Sequence, residues 1–178
     1  MKIKYFCLVL LAMCLICSSV YAIKPCNGLA GYLLGEKIEI EPNRFKFISN
    51  KEGMNIYETN FFTPFMDFNI CRISLTQETG LVCMIYLHIK LDSRKSSKYF
   101  DDVAAVIESH YEINGEICNS GYGEKIKEFV FPEKRIMTLK KFYSGSIGLS
   151  LLDFNLISKA KEEEKQSIYK DIYRGGLQ

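Results

Sequence analysis

Between Phe68 and Leu91 the chain reads FNICRISLTQETGLVCMIYLHIKL, two apolar runs around Gln77-Glu78-Thr79-Gly80. This pattern predicts a β-hairpin, with Gly80 in the left-handed position of a short Glu78-Thr79-Gly80 loop. Side chains alternate faces along a strand. With Gln77 facing Leu81, one face carries Cys71, Ile73, Leu75, Leu81, Cys83, Ile85, Leu87, Ile89 and Leu91, all of them apolar. The other carries Ile70, Arg72, Ser74, Thr76, Val82, Met84, Tyr86, His88 and Lys90, a mixed set. A slip of one residue would turn the apolar set to water, so the pattern specifies its own register.

An apolar hairpin face needs a cover, and the chain supplies one directly after it. Phe100, Val103, Ala104, Ile107 and Tyr111 follow helical spacing, which predicts an amphipathic helix over Lys98–Ile113. Ser96 or Ser97 is its expected cap, Asp101 and Asp102 suit its first turn, and Asn114-Gly115 stops it. Before the hairpin, Glu36–Ile40, Arg44–Ser49 and Asn55–Thr59 read as short strands broken by Pro42-Asn43 and Asn50–Gly53. After the helix and a Gly-rich loop at Cys118–Gly123, strands are predicted over Lys125–Phe131, Arg135–Tyr143 and Ser146–Phe154. Asn155–Tyr173 reads as a charged helix with a thin apolar stripe. The expected fold is α+β: an antiparallel β-sheet with one central amphipathic helix packed on it and a charged C-terminal helix.

Composition changes this picture at the N-terminus. Lys2 and Lys4, the apolar run Phe6–Ile16 and the Val20-Tyr21-Ala22 ending read as a signal peptide over residues 1–22. Residues 23–178 then form a single domain, and the expected location is the periplasm or the exterior. The whole chain carries 23 Lys plus Arg against 21 Asp plus Glu. Losing Lys2 and Lys4 with the leader brings the mature chain to neutrality. A neutral domain has little overall attraction for polyanions, so no nucleic-acid partner is expected.

Cleavage would leave four of the seven cysteines, Cys26, Cys71, Cys83 and Cys118. An oxidising compartment permits disulfides, which makes all four candidates. In the hairpin register Cys71 and Cys83 are offset by roughly 13 Å along the strands, beyond disulfide reach. If two bonds form, each hairpin cysteine pairs with Cys26 or Cys118. The competing expectation is that Cys71 and Cys83 are buried free thiols.

Catalytic signals are sparse. Cys83 with His110 is the one conceivable nucleophile pair, but the thiol is expected to be buried, and an active cysteine needs an accessible thiolate. No metal-ligand spacing and no Gly-x-Ser-x-Gly elbow occurs, so no metal or cofactor is expected and the chain does not read as an enzyme. The segment Asn60–Asp67, NFFTPFMD, concentrates large apolar side chains around Pro64. Phe61, Phe62, Phe65 and Met66 are the candidate partner-binding residues. The competing expectation is that these rings close one end of the core.

The order of motifs resembles a broad group of small exported proteins of Gram-negative bacteria. The resemblance rests on Leu34-Gly35, Phe65-Met66-Asp67-Phe68, the Gly80–Ile85 strand, the following helix, Ile136–Leu139, and the strand into a charged helix over Leu149–Glu164. It implies an antiparallel sheet with packed helices and carries no agreed activity. Two functions follow as expectations. One is a binder of another envelope protein, of inhibitor or immunity type. The other is a small-ligand carrier or accessory protein with a pocket between sheet and helix.

Overall fold

The computed structural model describes residues 24–118 and 124–175, with side chains as far as residue 169. The expected signal peptide over residues 1–22 and most of the Cys118–Gly123 loop lie outside the described residues. After a two-residue ladder between β1 (Gly28–Leu29) and β2 (Tyr32–Leu33) come β3 (Phe45–Lys51), β4 (Met54–Thr59), β5 (Ile70–Thr76) and β6 (Val82–Lys90). Helix α1 (Ser93–Tyr111) leads to β7 (Glu116–Cys118), β8 (Lys125–Phe131), β9 (Arg135–Lys141) and β10 (Ser146–Asp153), and α2 (Phe154–Gly175) follows. Strands β3 to β10 form one antiparallel sheet in the order β3-β4-β5-β6-β10-β9-β8-β7.

The topology repeats although the sequence does not. Four strands wind as a meander and a helix follows, twice over. The two meanders meet where β6 pairs with β10, Leu87 opposite Leu149 and Ile85 opposite Leu151. Each helix packs across the seam on the other meander's strands: α1 against β9 and β10, and α2 chiefly against β6, β5 and β4. The helices lie on opposite faces. On the α1 face Ile73, Ile85, Leu87, Ile89, Met137, Leu139, Leu149 and Leu151 are buried beneath Phe100, Val103, Ala104 and Ile107. Each such side chain stabilises the fold by about 1.5–3 kcal/mol relative to exposure. Among the described residues, the members of the two cores lie between Cys26 and Ala160.

The hairpin corrects the sequence reading in one particular. The predicted register holds from Ile70↔His88 to Ser74↔Met84, and then Leu75 pairs with Val82. The loop is the cause. Thr76, not Gln77, stands opposite Leu81: its N–H donates to the Leu81 carbonyl at 2.9 Å, and its Oγ1 accepts from the Leu81 N–H at 3.0 Å. The loop is therefore one residue longer than predicted, with Gly80 at φ 67°. A bulge at Val82-Cys83 absorbs the difference and reverses the faces of two residues. Val82 joins the α1 core, and Cys83 turns to the other side, against Met54 and Ala160.

Smaller differences have equally local causes. Glu36–Ile40 is not a strand; it makes a single bridge from Lys37 to Leu81, with Ile38 and Ile40 lying on the core. Helix α1 begins five residues earlier than its apolar spacing suggests, because Asp92 caps it by accepting from the Arg94 N–H at 2.9 Å. Asp101 and Asp102 consequently fall beyond the first turn, where they pair with Lys125 and Lys98. The helix stops at Glu112, which takes the left-handed conformation itself at φ 55°.

Candidate functional site

The segment from Asn60 to Asp67 leaves the sheet between β4 and β5 and is tied down along its length. Thr59 Oγ1 accepts from the Phe61 N–H at 3.1 Å, and the Tyr32 hydroxyl donates to the Phe61 carbonyl. The Thr63 N–H donates to the Ala30 carbonyl at 2.9 Å. Pro64 has no N–H to offer a ladder, and beyond it the chain turns, the Phe68 N–H donating to the Phe65 carbonyl. Met66 sits in the left-handed region at φ 51°, and the Asp67 N–H donates to the Tyr99 hydroxyl at 2.9 Å.

This anchoring sorts the four candidate residues into two pairs. Phe62 and Phe65 are half-buried and pack on the main core. Phe65 stacks on Phe68 with ring centroids 6.1 Å apart, and Phe68 meets Tyr99 edge-on at 6.0 Å. Phe61 and Met66 point outward, 52% and 38% exposed. The Arg44 guanidinium lies 4.9 Å from the Phe61 ring centroid while pairing with Glu41 at 3.2 Å. Phe62 and Phe65 therefore help to close the core, and Phe61 and Met66 stay on the surface.

Two clefts flank the loop. A narrower one, of about 270 Å³, lies between α1 and the β1–β2 segment, walled by Leu29, Phe65, Val106, Ile107, His110 and Tyr111. The Cys26 thiol donates to the Tyr111 hydroxyl at 3.2 Å, and burial raises the pKa of both groups. A broader and more open cleft, of about 600 Å³, is walled by Tyr32, Arg44, Asn60, Phe61 and Phe62. Neither Arg44 nor Val106 stood out in the sequence. Arg44 sits at the start of a strand with no motif around it. Val106 carried a signal: it is an apolar residue outside the helix's core spacing, and it is exposed.

The cysteines do not pair. All four are free; Cys26, Cys71 and Cys83 are buried and Cys118 is exposed. The expected bonds from Cys71 or Cys83 to Cys118 are excluded by the strand order, which sets β7 four strands from β6 and five from β5. At about 4.8 Å per strand that is roughly 20 Å, far beyond disulfide reach. A bond from Cys83 to Cys26 is blocked by the bulge, which puts Cys83 across the sheet from the α1 core that holds Cys26. Cys26 and Cys71 share that core as free thiols. Burial raises the Cys71 and Cys83 thiols to about 12, so neither is a thiolate at neutral pH. The sheet also separates Cys83 from His110, which removes that pair as a nucleophile and base. Among the described residues no cluster of His, Cys, Asp or Glu could hold a metal ion, and no helix is long and apolar enough to cross a membrane.

No family model matches the chain, and neither the curated proteins nor the solved structures contain a significant match to it.

Proposed function

We propose that this protein acts by binding another protein of the bacterial envelope, as an inhibitor- or immunity-type partner of an envelope-acting enzyme. The observation that carries the reading is the outward pair Phe61 and Met66, held on a tied loop between two clefts. A loop already fixed by its backbone hydrogen bonds loses little entropy on docking, and an exposed aromatic ring is a typical anchor, commonly worth ~2 kcal/mol or more. The role is binding rather than catalysis, and export by the residue 1–22 leader brings the protein to its partner. N-terminal sequencing of the mature chain should begin at Ile23; a product retaining Met1 removes the envelope from the proposal.

The decisive experiment replaces Phe61 with a photo-crosslinking phenylalanine in cells. A partner captured there is purified, and its affinity is measured for the wild-type chain and for Phe61→Ser/Met66→Ser. The expected result is a loss of about tenfold or more with an unchanged melting temperature. Equal affinity for both chains assigns the function elsewhere. The small-ligand reading draws on the narrower cleft, whose 270 Å³ lies just below the usual span of ligand pockets. Native mass spectrometry of protein isolated from the envelope separates the two: a retained apolar molecule, lost in Val106→Lys, favours the carrier.

A further inference from the structure

Four cations lie around the end of the sheet where β6 runs into α1. Lys90 ends β6 opposite Ser146, where alternation sets it on the α2 side of the sheet with Tyr86 and His88, so that it meets the other three cations only around the sheet's end. Arg94 and Lys95 stand exposed in the first turn of α1. Lys141 ends β9 and donates from Nζ to Ser97 Oγ at 3.1 Å. The turn between β9 and β10 is pressed onto this corner. Gly145, at φ 83°, comes so close to Leu91 and Ser93 that an added Cβ would lie 2.8 Å from the Leu91 carbonyl oxygen. Beside Gly145 at the tip of that turn, Tyr143 is 83% exposed.

Three nearby carboxylates are paired with other cations. Asp101 pairs with Lys125 at 2.5 Å, Asp102 with Lys98 at 2.6 Å, and Glu124 with Lys140 at 2.7 Å. Asp92, which caps α1, and Asp67, whose N–H donates to the Tyr99 hydroxyl one turn along α1 from Lys95, form no ion pair among the described residues and keep their negative charge beside the corner. Among the described residues no ion pair reaches Lys90, Arg94, Lys95 or Lys141. Four cations against the carboxylates of Asp67 and Asp92 leave this corner positive, in a chain whose net charge is only +2.

We propose that this corner docks the protein on an anionic lipid surface, with Tyr143 at headgroup level and the four cations against the lipid phosphates. Three features favour lipid over an acidic protein surface. The aromatic residue is on a projecting turn and not in a cleft. Three of the four cations are lysines, point charges on flexible stems that suit a diffuse anionic layer; carboxylate recognition favours the arginine fork, and protein interfaces are depleted in lysine. Tyrosine flanked by lysine is the combination that settles at a membrane interface. The proposal stands on residues separate from the aromatic loop, so it does not depend on that loop having a protein partner.

The test uses residues 23–178 and vesicles of phosphatidylcholine with or without phosphatidylglycerol. Binding should appear only with phosphatidylglycerol and fall steeply with salt. Lys90→Glu/Lys95→Glu should reduce partitioning by about tenfold or more, since each cation near such a surface is worth about a fivefold change. Tyr143→Ser should reduce it several-fold while leaving the salt dependence intact. Lys51→Glu/Lys165→Glu, the same charge change placed elsewhere, should leave it unaltered. No binding to the anionic vesicles, equal binding to neutral ones, or equal loss in both charge variants overturns the proposal. So does binding to polyglutamate without binding to the vesicles, which would assign the corner to an acidic polypeptide.

Discussion

The same strands present two different surfaces. On the α1 face, helix, aromatic loop and N-terminal segment together close a continuous core from Phe45 on β3 to Phe129 on β8. On the α2 face a much smaller cluster forms, Met54, Cys83 and Ala160 with Leu156 and Ile157 against it. The rest of that face stays half-open: Arg72 pairs with Glu58 at 2.9 Å, Tyr86 stacks on His88 at 6.2 Å, and the Tyr86 ring lies over Gly148. The difference follows from alternation. The first face draws apolar side chains from every strand it crosses, whereas the second mixes Arg, Ser, Thr and His among them and leaves little for a helix to bury. A helix with only a thin apolar stripe is what can be held there, and among the described residues the apolar contacts of α2 come from its first two turns.

The largest expected effects test this contrast directly. Leu87→Ala should cost about 2–5 kcal/mol in urea unfolding, because Leu87 is fully buried beneath α1. Tyr86→Ala, one residue away on the open face, should cost clearly less, about 1–2 kcal/mol for partial burial. Equal losses would mean that the two faces are equally covered. Next comes Gly53→Ala. Gly53 has φ 74°, and a methyl group there collides with the Ala160 carbonyl. The expected loss is about 1–3 kcal/mol, from backbone strain and displacement of α2. Hydrogen exchange should quicken in α2 and remain slow in α1. Loosening of both helices would show that the faces are coupled.

A third prediction applies the comparison to the aromatic loop. Phe62→Ser and Phe65→Ser should each cost about 2–4 kcal/mol, since both rings pack on the α1 core. Phe61→Ser and Met66→Ser should lie within about 0.5 kcal/mol of wild type, as exposed substitutions do. A large loss at Phe61 would fold that ring into the core and remove it from the candidate site.

Most of the fold was legible because alternation of period two and helical spacing are local signals, and they agreed along the chain. The faces of Ile73, Ile85, Leu87 and Leu149 could be assigned from parity alone. What could not be read were features set by partners distant in sequence. The bulge at Val82-Cys83 depends on how Thr76 closes the loop, and a loop one residue shorter satisfies the same hydrophobic pattern. The division of the aromatic segment depends on Tyr32, Ala30 and Tyr99, which decide the rings that turn inward. The basic corner was hidden by net charge, which sums over a surface where position decides. Thiol labelling of the folded mature chain checks the cysteine reassignment: Cys118 should react rapidly, and Cys26, Cys71 and Cys83 only on unfolding. Prompt labelling of Cys83 would mean that α2 does not cover it.

The smallest expected effect belongs to the open face and depends on pH. His88 is half-buried beside Tyr86, and its pKa is lowered, first by burial and then by the nearby Arg72 guanidinium. An unfolded histidine titrates near ~6.5, so below that value the unfolded chain binds more protons at this position than the folded one. Stability therefore rises with pH through this window. The contribution of His88 is fully present above the unfolded pKa and is lost as pH falls toward the folded one. His88→Gln should flatten this limb of the melting-temperature profile between about pH 5 and 7, with little change above it. A covering layer over the open face would bury His88 further and steepen the limb, and a freely solvated His88 would contribute no slope at all. A wild-type profile already flat across this window would mean that the α2 face is more exposed than its half-buried Tyr86 and His88 indicate.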